Sequence, residues 1–509
     1  MRKGESLDAQ NAAPVVRNDM FGRLDIYSTF DEITEDNLIE ELNSALVYHV
    51  QNMLQEEFLY WFTRGVQPIL NRHKDIREDI LNIVQVNTAS EIVDFKNGYL
   101  LQKPCAYTAR RKGVQTKLKK LNEYLYRSGK ADADNKVADW FHRVGKGVLY
   151  VEPSVEDDTP FVSYALDPRS AFVVYSLRPG NKPIMGVNFV TREGVAMFDV
   201  FTERTVYHLT GTYTGKMMTA MKNEQFLVTA VSIESSEPNV LGYIPIIEYR
   251  YNSVNTAAFE LAIPLICELS NLASNACDGV EQFIQTLAIA VNCEFPEGTT
   301  ITDIRKAGMI ALRSIGENKA DFKVLTEQLD QSQTKVLMDG LRDEIFCICA
   351  MPNRSDGRNY DTTGAAQLAS LGWYQADCCA RNTEDLFRES NKQFDRIIIE
   401  ILRRKGLLDI DINDFELNFP HGETANIQSK AQAFQTLMAA GLHPELAAEK
   451  SGISSDPVKD MKMSDQYLKM VWGDPTKVDE AEQTNGGQGE AEIVEQDANN
   501  GENETGGSV

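Results

Sequence analysis

Two helix-period segments separated by a short insert constrain this chain more than any other feature. From Ala258 to Ile284, apolar residues recur at Leu261, Leu265, Leu269, Leu272, Ala276, Val280 and Phe283, a helical repeat. Pro264 falls near its start, where a helix tolerates proline best. Gln331 to Ala350 repeats the pattern with Leu337, Leu341, Ile345 and Ile348, and Pro352 follows as a stop. Residues 286–330 between them hold strand candidates at Leu287–Val291, Met309–Leu312 and Phe322–Leu325, a small αβ insert. A helix of about 25 residues spans roughly 37 Å. Two such helices, antiparallel with the insert at their tip, make a stalk. A lone two-helix stalk buries too little surface to be stable, so the pattern predicts oligomerisation.

The flanks are legible in the same way. Residues 1–29 are polar and mixed, which predicts a loose arm. Asp36 to about Leu70 is helical, with Thr34 or Asp36 where an N-cap belongs. Further helices and short extended pieces fill 76–150. From 147 to 250 short β-rich runs alternate with turn signals such as Asp167-Pro168 and Pro179-Gly180-Asn181, predicting an antiparallel region. Pro352 to Gly364 is a polar loop by composition. Ala365 to Lys405 reads as one very long helix with Gly372 as a bend. Leu407 to Phe419 reads as one or two strands, and 427–472 as helices broken near Gly441 and Ser454. The fold class is α+β.

Charge limits the function classes. With 51 Lys and Arg against 75 Asp and Glu, the formal net charge is −24. Residues 478–509 contain nine of the acids, six glycines and no Lys or Arg, a tail disordered by composition. Without it the balance is 51 − 66, still −15. Such a chain is poorly suited to grip nucleic acid on a broad basic face, although it can surround DNA without gripping it. The basic cluster Arg110, Arg111, Lys112, Lys117, Lys119 and Lys120 alternates with leucines at helical spacing, which favours a solvated helix face or an acidic partner over a nucleic-acid contact. No apolar run is long enough for a membrane span, and the N-terminus has no apolar core of a signal peptide. Eight cysteines without CxxC predict buried, reduced thiols.

The search for catalytic motifs finds no support for an enzyme. Gly211-Thr-Tyr-Thr-Gly-Lys-Met217 has three residues between its glycines where a phosphate loop needs four. Met217 also replaces the Ser or Thr that would hold magnesium, so a plain turn is predicted. The six histidines are scattered, and none is spaced from another as metal ligands on one helix would be. No cofactor or metal is expected.

The stretches Ile92–Pro104, Val144-Gly-Lys-Gly-Val-Leu-Tyr-Val151, Leu166–Phe172, Gly242–Tyr249, Leu269-Ser-Asn-Leu-Ala-Ser-Asn275 and Thr363–Leu368 stand in a defined order and spacing. Taken together they resemble the portal proteins of tailed bacteriophages, in the branch known from long-tailed phages of Gram-positive bacteria. The resemblance covers about Asp36 to Leu468. It implies a portal-type fold with a mixed α/β wing, two-helix stem, small αβ clip, long bent helix and helical crown. Mapped onto this sequence, the flexible arm is 1–29, the wing 30–255, the stem helices 256–285 and 331–351, and the clip 286–330. The tunnel loop is 352–364, the long wing helix 365–406, the wing strands 407–427, the crown 428–475 and the acidic tail 476–509.

The resemblance further implies a homo-oligomeric ring, typically a 12-mer, at one vertex of the virion capsid, assembled in the host cytoplasm. Double-stranded DNA passes through its channel during packaging and ejection. The expected partners are the terminase large subunit, a head-completion or adaptor protein, and the major capsid and scaffolding proteins. No catalytic site and no membrane partner are expected. Asn353, Arg354, Arg358 and Asn359 in the tunnel loop are the candidate DNA-backbone contacts. Pairing of the two arginines with Asp356 and Asp361 is the competing expectation. A head–tail adaptor and an uncharacterised DNA-processing enzyme are the rival readings; 509 residues is long for an adaptor.

Overall fold

A computed structural model describes residues 22–74, 79–111, 113–213, 228–284, 288–291, 293–294, 313–314, 321–324, 332–352, 372–420, 427–454 and 457–472. The chain divides into two compact units, Met1–Gly422 and Glu423–Val509. The first combines helices with mixed sheets, in agreement with the α+β expectation.

Helix α1 (Glu35–Thr63) begins after Thr34, whose backbone N–H donates to Asn37 Oδ1 at 2.8 Å. It stops short of the predicted Leu70, because Gly65 turns left-handed (φ +97°) and Pro68 opens a separate 3-10 turn, Pro68–Asn71. Leu38, Leu42, Ala45 and Leu46 form its inner stripe. They pack on Phe172, Val187, Phe189, Phe198 and Leu209 of a six-stranded sheet. Burying each large apolar side chain contributes about 1.5–3 kcal/mol.

That sheet has the order β1 (Ile26–Ser28), β5 (Ala171–Ser176), β6 (Pro183–Arg192), β7 (Val195–Phe201), β8 (Thr205–Tyr213), β9 (Val228–Pro238). Strands β5 to β9 form an antiparallel meander, and Glu193 and Gly194, both at positive φ, make the two-residue turn between β6 and β7. Strand β1 alone pairs in parallel, Ile26 opposite Val174. The expected loose arm therefore does not reach residue 29: Gly22 to Ser28 are held by the sheet and by buried ion pairs.

A second sheet, β10 (Ile246–Arg250), β3 (Lys146–Pro153), β4 (Phe161–Leu166), packs beside the first through Val148, Val173, Ile244 and Ile246. The predicted β region is thus two sheets. Gly145 (φ +96°) joins β3 to the preceding helix, and Gly147 is the second residue of β3. A Cβ on Gly147 would stand 2.4 Å from Val137 O, and one on Gly145 would stand 2.1 Å from Asn255 O. Only glycine permits this approach, which explains both glycines of the Val144–Val151 stretch.

Helices α2 (Thr88–Leu100), α3 (Gln115–Arg127) and α4 (Lys130–Val144) follow the first helix. Strand β2 (Ala106–Ala109) pairs with β15 (Phe415–Asn418), the one strand found in the predicted Leu407–Phe419 region. Helices α5 (Ile263–Ile284) and α6 (Ser332–Ile348) share one core with α2 and the end of α1, built on Phe62, Phe259, Ile266, Ile345 and Phe346. Between them, β11 (Ala288–Val291) pairs with β14 (Asp321–Val324), and β12 (Cys293–Glu294) with β13 (Arg313–Ser314), both antiparallel. Helix α7 (Trp373–Arg404) lays Phe387, Phe394, Ile397, Ile398 and Ile401 against Phe141, Leu149 and Tyr249. Gly372 does not bend this helix; it precedes it, left-handed at φ +79°. Residues 365–371 lie outside the described residues.

The second unit contains α8 (Ile427–Ala439), α9 (Pro444–Ser451) and α10 (Pro457–Trp472). Gly441 at φ +86° and Gly452 at φ +63° end the first two, at the breaks read from sequence. The acidic tail lies outside the described residues. Seven cysteines are free, and the remaining one of the eight, Cys293, lies in β12; Cys349 is buried, whereas Cys277 and Cys347 are exposed, contrary to the expectation of burial throughout.

Candidate functional site

Asn353, Arg354, Arg358 and Asn359 lie outside the described residues; the frame on either side of them is formed by α6 and the start of α7. Helix α6 closes with a Schellman turn: Met351 N–H donates to Phe346 O at 2.8 Å and Ala350 N–H to Cys347 O at 3.1 Å. A Cβ on Gly372 would stand 3.5 Å from Met351 O and 3.8 Å from Pro352 Cα. The two described ends of the chain around 353–371 therefore meet at one place, at the foot of α6.

Helix α5 is fixed by a polar ladder. Ser270, Ser274 and Asp278 recur every fourth residue on one face. They accept backbone N–H groups from Val86 (3.2 Å), Val84 (2.9 Å) and Asn82 (2.7 Å), every second residue of an extended segment. The match is metric: four helical residues rise about 6 Å and two extended residues about 6.6 Å. The serines of the Leu269–Asn275 stretch thus dock residues 82–86 along the helix. Asp278 also takes ion pairs from Arg72 (2.7 Å) and from Lys74. Burial alone would raise its carboxyl, but Lys74, the Asn82 N–H and Arg72 outweigh that and hold it well below the usual carboxylate range. Asp278 was not singled out from sequence; its i+4 spacing from Ser274 is the signal that could have found it.

The electrostatics of this frame are acidic. Helix α5 carries Glu268, Asp278 and Glu281 and no Lys or Arg; α6 carries Asp339, Asp343 and Glu344 against Lys335 and Arg342. The outer side of α6 is apolar as well. Val336 is 71% exposed, Leu337 52% and Ile348 42%, and Val336, Leu337, Gly340 and Leu341 line one shallow groove.

The basic cluster has mostly local partners. Arg110 pairs with Glu416 (2.9 Å), Arg111 with Asp414 (3.2 Å), and the Lys117 and Lys120 ammonium groups donate to Asp409 O and Leu407 O. Residue 112 lies outside the described residues. The cluster serves largely to tie α3 to the 407–416 segment. The Gly211 motif begins within strand β8, and residues 214–217 lie outside the described residues.

A buried charge cluster joins the N-terminal segment to both sheets and to the start of α5. Arg23 pairs with Glu260 at 2.5 Å, and Lys146 pairs with Asp25 (3.0 Å) and Glu248 (3.2 Å). Arg250 pairs with Asp25 at 3.2 Å. Burial disfavours the Lys146 charge, but Glu248 and Asp25 outweigh it and hold the ammonium above its ordinary range. Three cations thus face three anions. A seventh group, Glu56 on α1, is buried, and its Oε2 has no hydrogen-bond partner among the described residues. Burial pushes its carboxyl up to about 8, so at neutral pH it is protonated and the cluster is electroneutral.

A family model described as phage portal protein, SPP1 Gp6-like, matches residues 49–464. That is 464 − 49 + 1 = 416 of 509 residues, and it spans both units. The chain belongs to this family. No curated protein shows a significant match to it. Membership carries a phage portal role, a place at the virion capsid vertex and a capsid-associated oligomer; the family is structural and is not known as one of enzymes. Among the described residues, no helix is long and apolar enough to cross a membrane.

Proposed function

We propose that this portal-family chain assembles into a closed ring, typically of twelve copies, through which double-stranded DNA is packaged and ejected. Residues 256–285 and 331–351, with α5 and α6, form the stem, the 286–330 insert the clip, residues 30–255, 365–406 and 407–427 the wing, and residues 428–475 the crown. The clip meets the terminase large subunit and later the head-completion or adaptor protein; the major capsid and scaffolding proteins are the further partners. Asn353, Arg354, Arg358 and Asn359 touch the DNA backbone transiently.

The observation that carries the oligomer is the uncovered apolar side of α6. Exposed apolar residues grouped on one helix face call for a partner surface, and in a ring every copy offers the same one. The acidity of α5 and α6 fits a channel that repels phosphate and keeps a duplex sliding. Single-particle images of the purified protein test the reading. Rings with a central bore are expected; a solitary particle without one overturns it.

A further inference from the structure

Two unfavourable features coincide at the foot of α6. Ala350 occupies the left-handed position of the Schellman turn, with φ +49°, where glycine is usual. A Cβ there costs roughly 1 kcal/mol or more. The carbonyl of this residue accepts a hydrogen bond from Lys96 Nζ on α2 at 3.2 Å, and Lys96 is only 7% exposed. Buried lysines normally have a carboxylate. Lys96 forms no salt bridge among the described residues. Its cavity is lined by Phe95, Tyr99, His142, Tyr251, Cys379 and Thr383. The titratable groups around it are the Cys349 and Cys379 thiols, neutral His142 and the two tyrosines, and no carboxylate is among them. Burial lowers the Lys96 ammonium and pushes the Cys349 thiol up to about 12.

A strained backbone and an uncompensated charge persist only where surrounding contacts over-determine them, and such sites favour two-state elements. Here each depends on the other: the left-handed turn aims the Ala350 carbonyl at Nζ, and Nζ finds its charge-assisted acceptor there. We infer that Lys96 and Ala350 form a loaded latch, in which releasing the hydrogen bond lets Ala350 relax to the right-handed region and uncovers Cys349. The latch sits where the chain leaves α6, so it fixes the direction of Met351 and Pro352.

Thiol labelling of the full-length protein, read peptide by peptide, tests it, with exposed Cys347 as the reagent control. Ala350→Gly removes the strain and is expected to slow Cys349 labelling about fivefold, the equivalent of roughly 1 kcal/mol. Lys96→Met removes the tether and is expected to accelerate it. Loss of the Lys96 charge alone would raise the thiol pKa and slow labelling, so acceleration is diagnostic. Equal Cys349 rates in wild type and Ala350→Gly overturn the latch, as does a Lys96→Met rate at or below wild type. Because glycine suits this turn, Ala350→Gly keeps the test decisive even if Lys96→Met folds poorly.

Discussion

The guanidinium of Arg23 and the carboxylate of Glu260, 237 residues apart, meet at 2.5 Å with neither side chain exposed to solvent. Glu260 opens the 3-10 turn Glu260–Ala262 that leads into α5, and it also accepts from Gly22 N–H (3.2 Å) and Ala257 N–H (2.7 Å). Arg23 donates in addition to Val144 O at 3.1 Å. The N-terminal segment is thereby fastened between the end of α4 and the start of α5. Breaking one side of a buried pair strands the other charge. Glu260→Gln or Arg23→Met is expected to cost about 3–5 kcal/mol, read by denaturant unfolding. The double variant Arg23→Met/Glu260→Gln is expected to cost less than the sum of the two. Additive losses would show that the two groups do not act as a pair.

Glu56 gives the fold an alkaline weakness. Its folded-state carboxyl is pushed up to about 8 by burial, opposed by Arg23 and Lys146, whereas an unfolded Glu titrates near 4.3. The folded state therefore binds the extra proton between those values, and the contribution is fully present below about pH 4.3 and lost as pH rises through about 8. Asp395, pushed up to about 7 by burial, has the same sign. His49, held down to about 4 by burial, acts oppositely but only below about pH 6.5. Between about pH 6.5 and 8 the wild type should lose thermal stability, at a slope from Glu56 of at most about 1.4 kcal/mol per pH unit that fades above about pH 8. Glu56→Gln should flatten that slope. An equal slope in the variant would assign the weakness elsewhere.

Much of this architecture was legible because it rests on local pattern. The 3.6-residue stripes of α5 and α6 and the two breaks between α8, α9 and α10 stand in the sequence where the structure has them. What escaped is non-local. Residues 22–28 look like a loose arm because nothing local shows that Arg23 finds Glu260 or that β1 adds to β5 in parallel. Gly372 reads as a bend because the helical pattern continues across it; in the structure it is the left-handed N-cap of α7, beside Met351 and Pro352. The serines of Leu269–Asn275 were noticed as part of a resemblance, but their task required knowing that an extended segment lay 184 residues upstream of Ser270.

The ladder on α5 should be separable rung by rung. Ser274→Ala leaves Val84 N–H without its acceptor and is expected to cost about 1–3 kcal/mol. Asp278→Asn keeps a hydrogen-bond acceptor but removes the charge that Arg72 and Lys74 neutralise. Because the folded Asp278 carboxyl is depressed, its contribution is present above the unfolded value near 3.9 and lost as pH falls further. Asp278→Asn should therefore destabilise at pH 7 and converge with wild type in strong acid. Hydrogen exchange at Asn82, Val84 and Val86 would locate the effect; unchanged protection at all three in both variants would remove the ladder from the account.

Deleting residues 353–361 addresses the proposed DNA contacts directly. The described residues on either side of 353–371 meet at Met351, Pro352 and Gly372, so a connection nine residues shorter can be closed without disturbing α6 or α7. Rings should form as in wild type, and DNA filling of heads should fall. Normal filling would take Arg354 and Arg358 out of the mechanism.

The outer side of α6 carries the assembly prediction. Val336 and Leu337 are more exposed than half, yet they neighbour Gly340, whose added Cβ would meet nothing within 4 Å, so this face has room for a partner. Burying a large apolar side chain at a contact contributes at most about 1.5–3 kcal/mol, and this gain recurs at every interface of a ring. Leu337→Asp forfeits it and adds a carboxylate to a helix that already carries three acids against two bases. Because Leu337 is exposed in the single chain, the subunit's own unfolding free energy should change by no more than about 0.5 kcal/mol. Sedimentation should show the ring giving way to smaller species, most strongly at low ionic strength, where like charges are least screened. A ring of undiminished size and concentration dependence in Leu337→Asp would place the subunit contact on another face of the molecule.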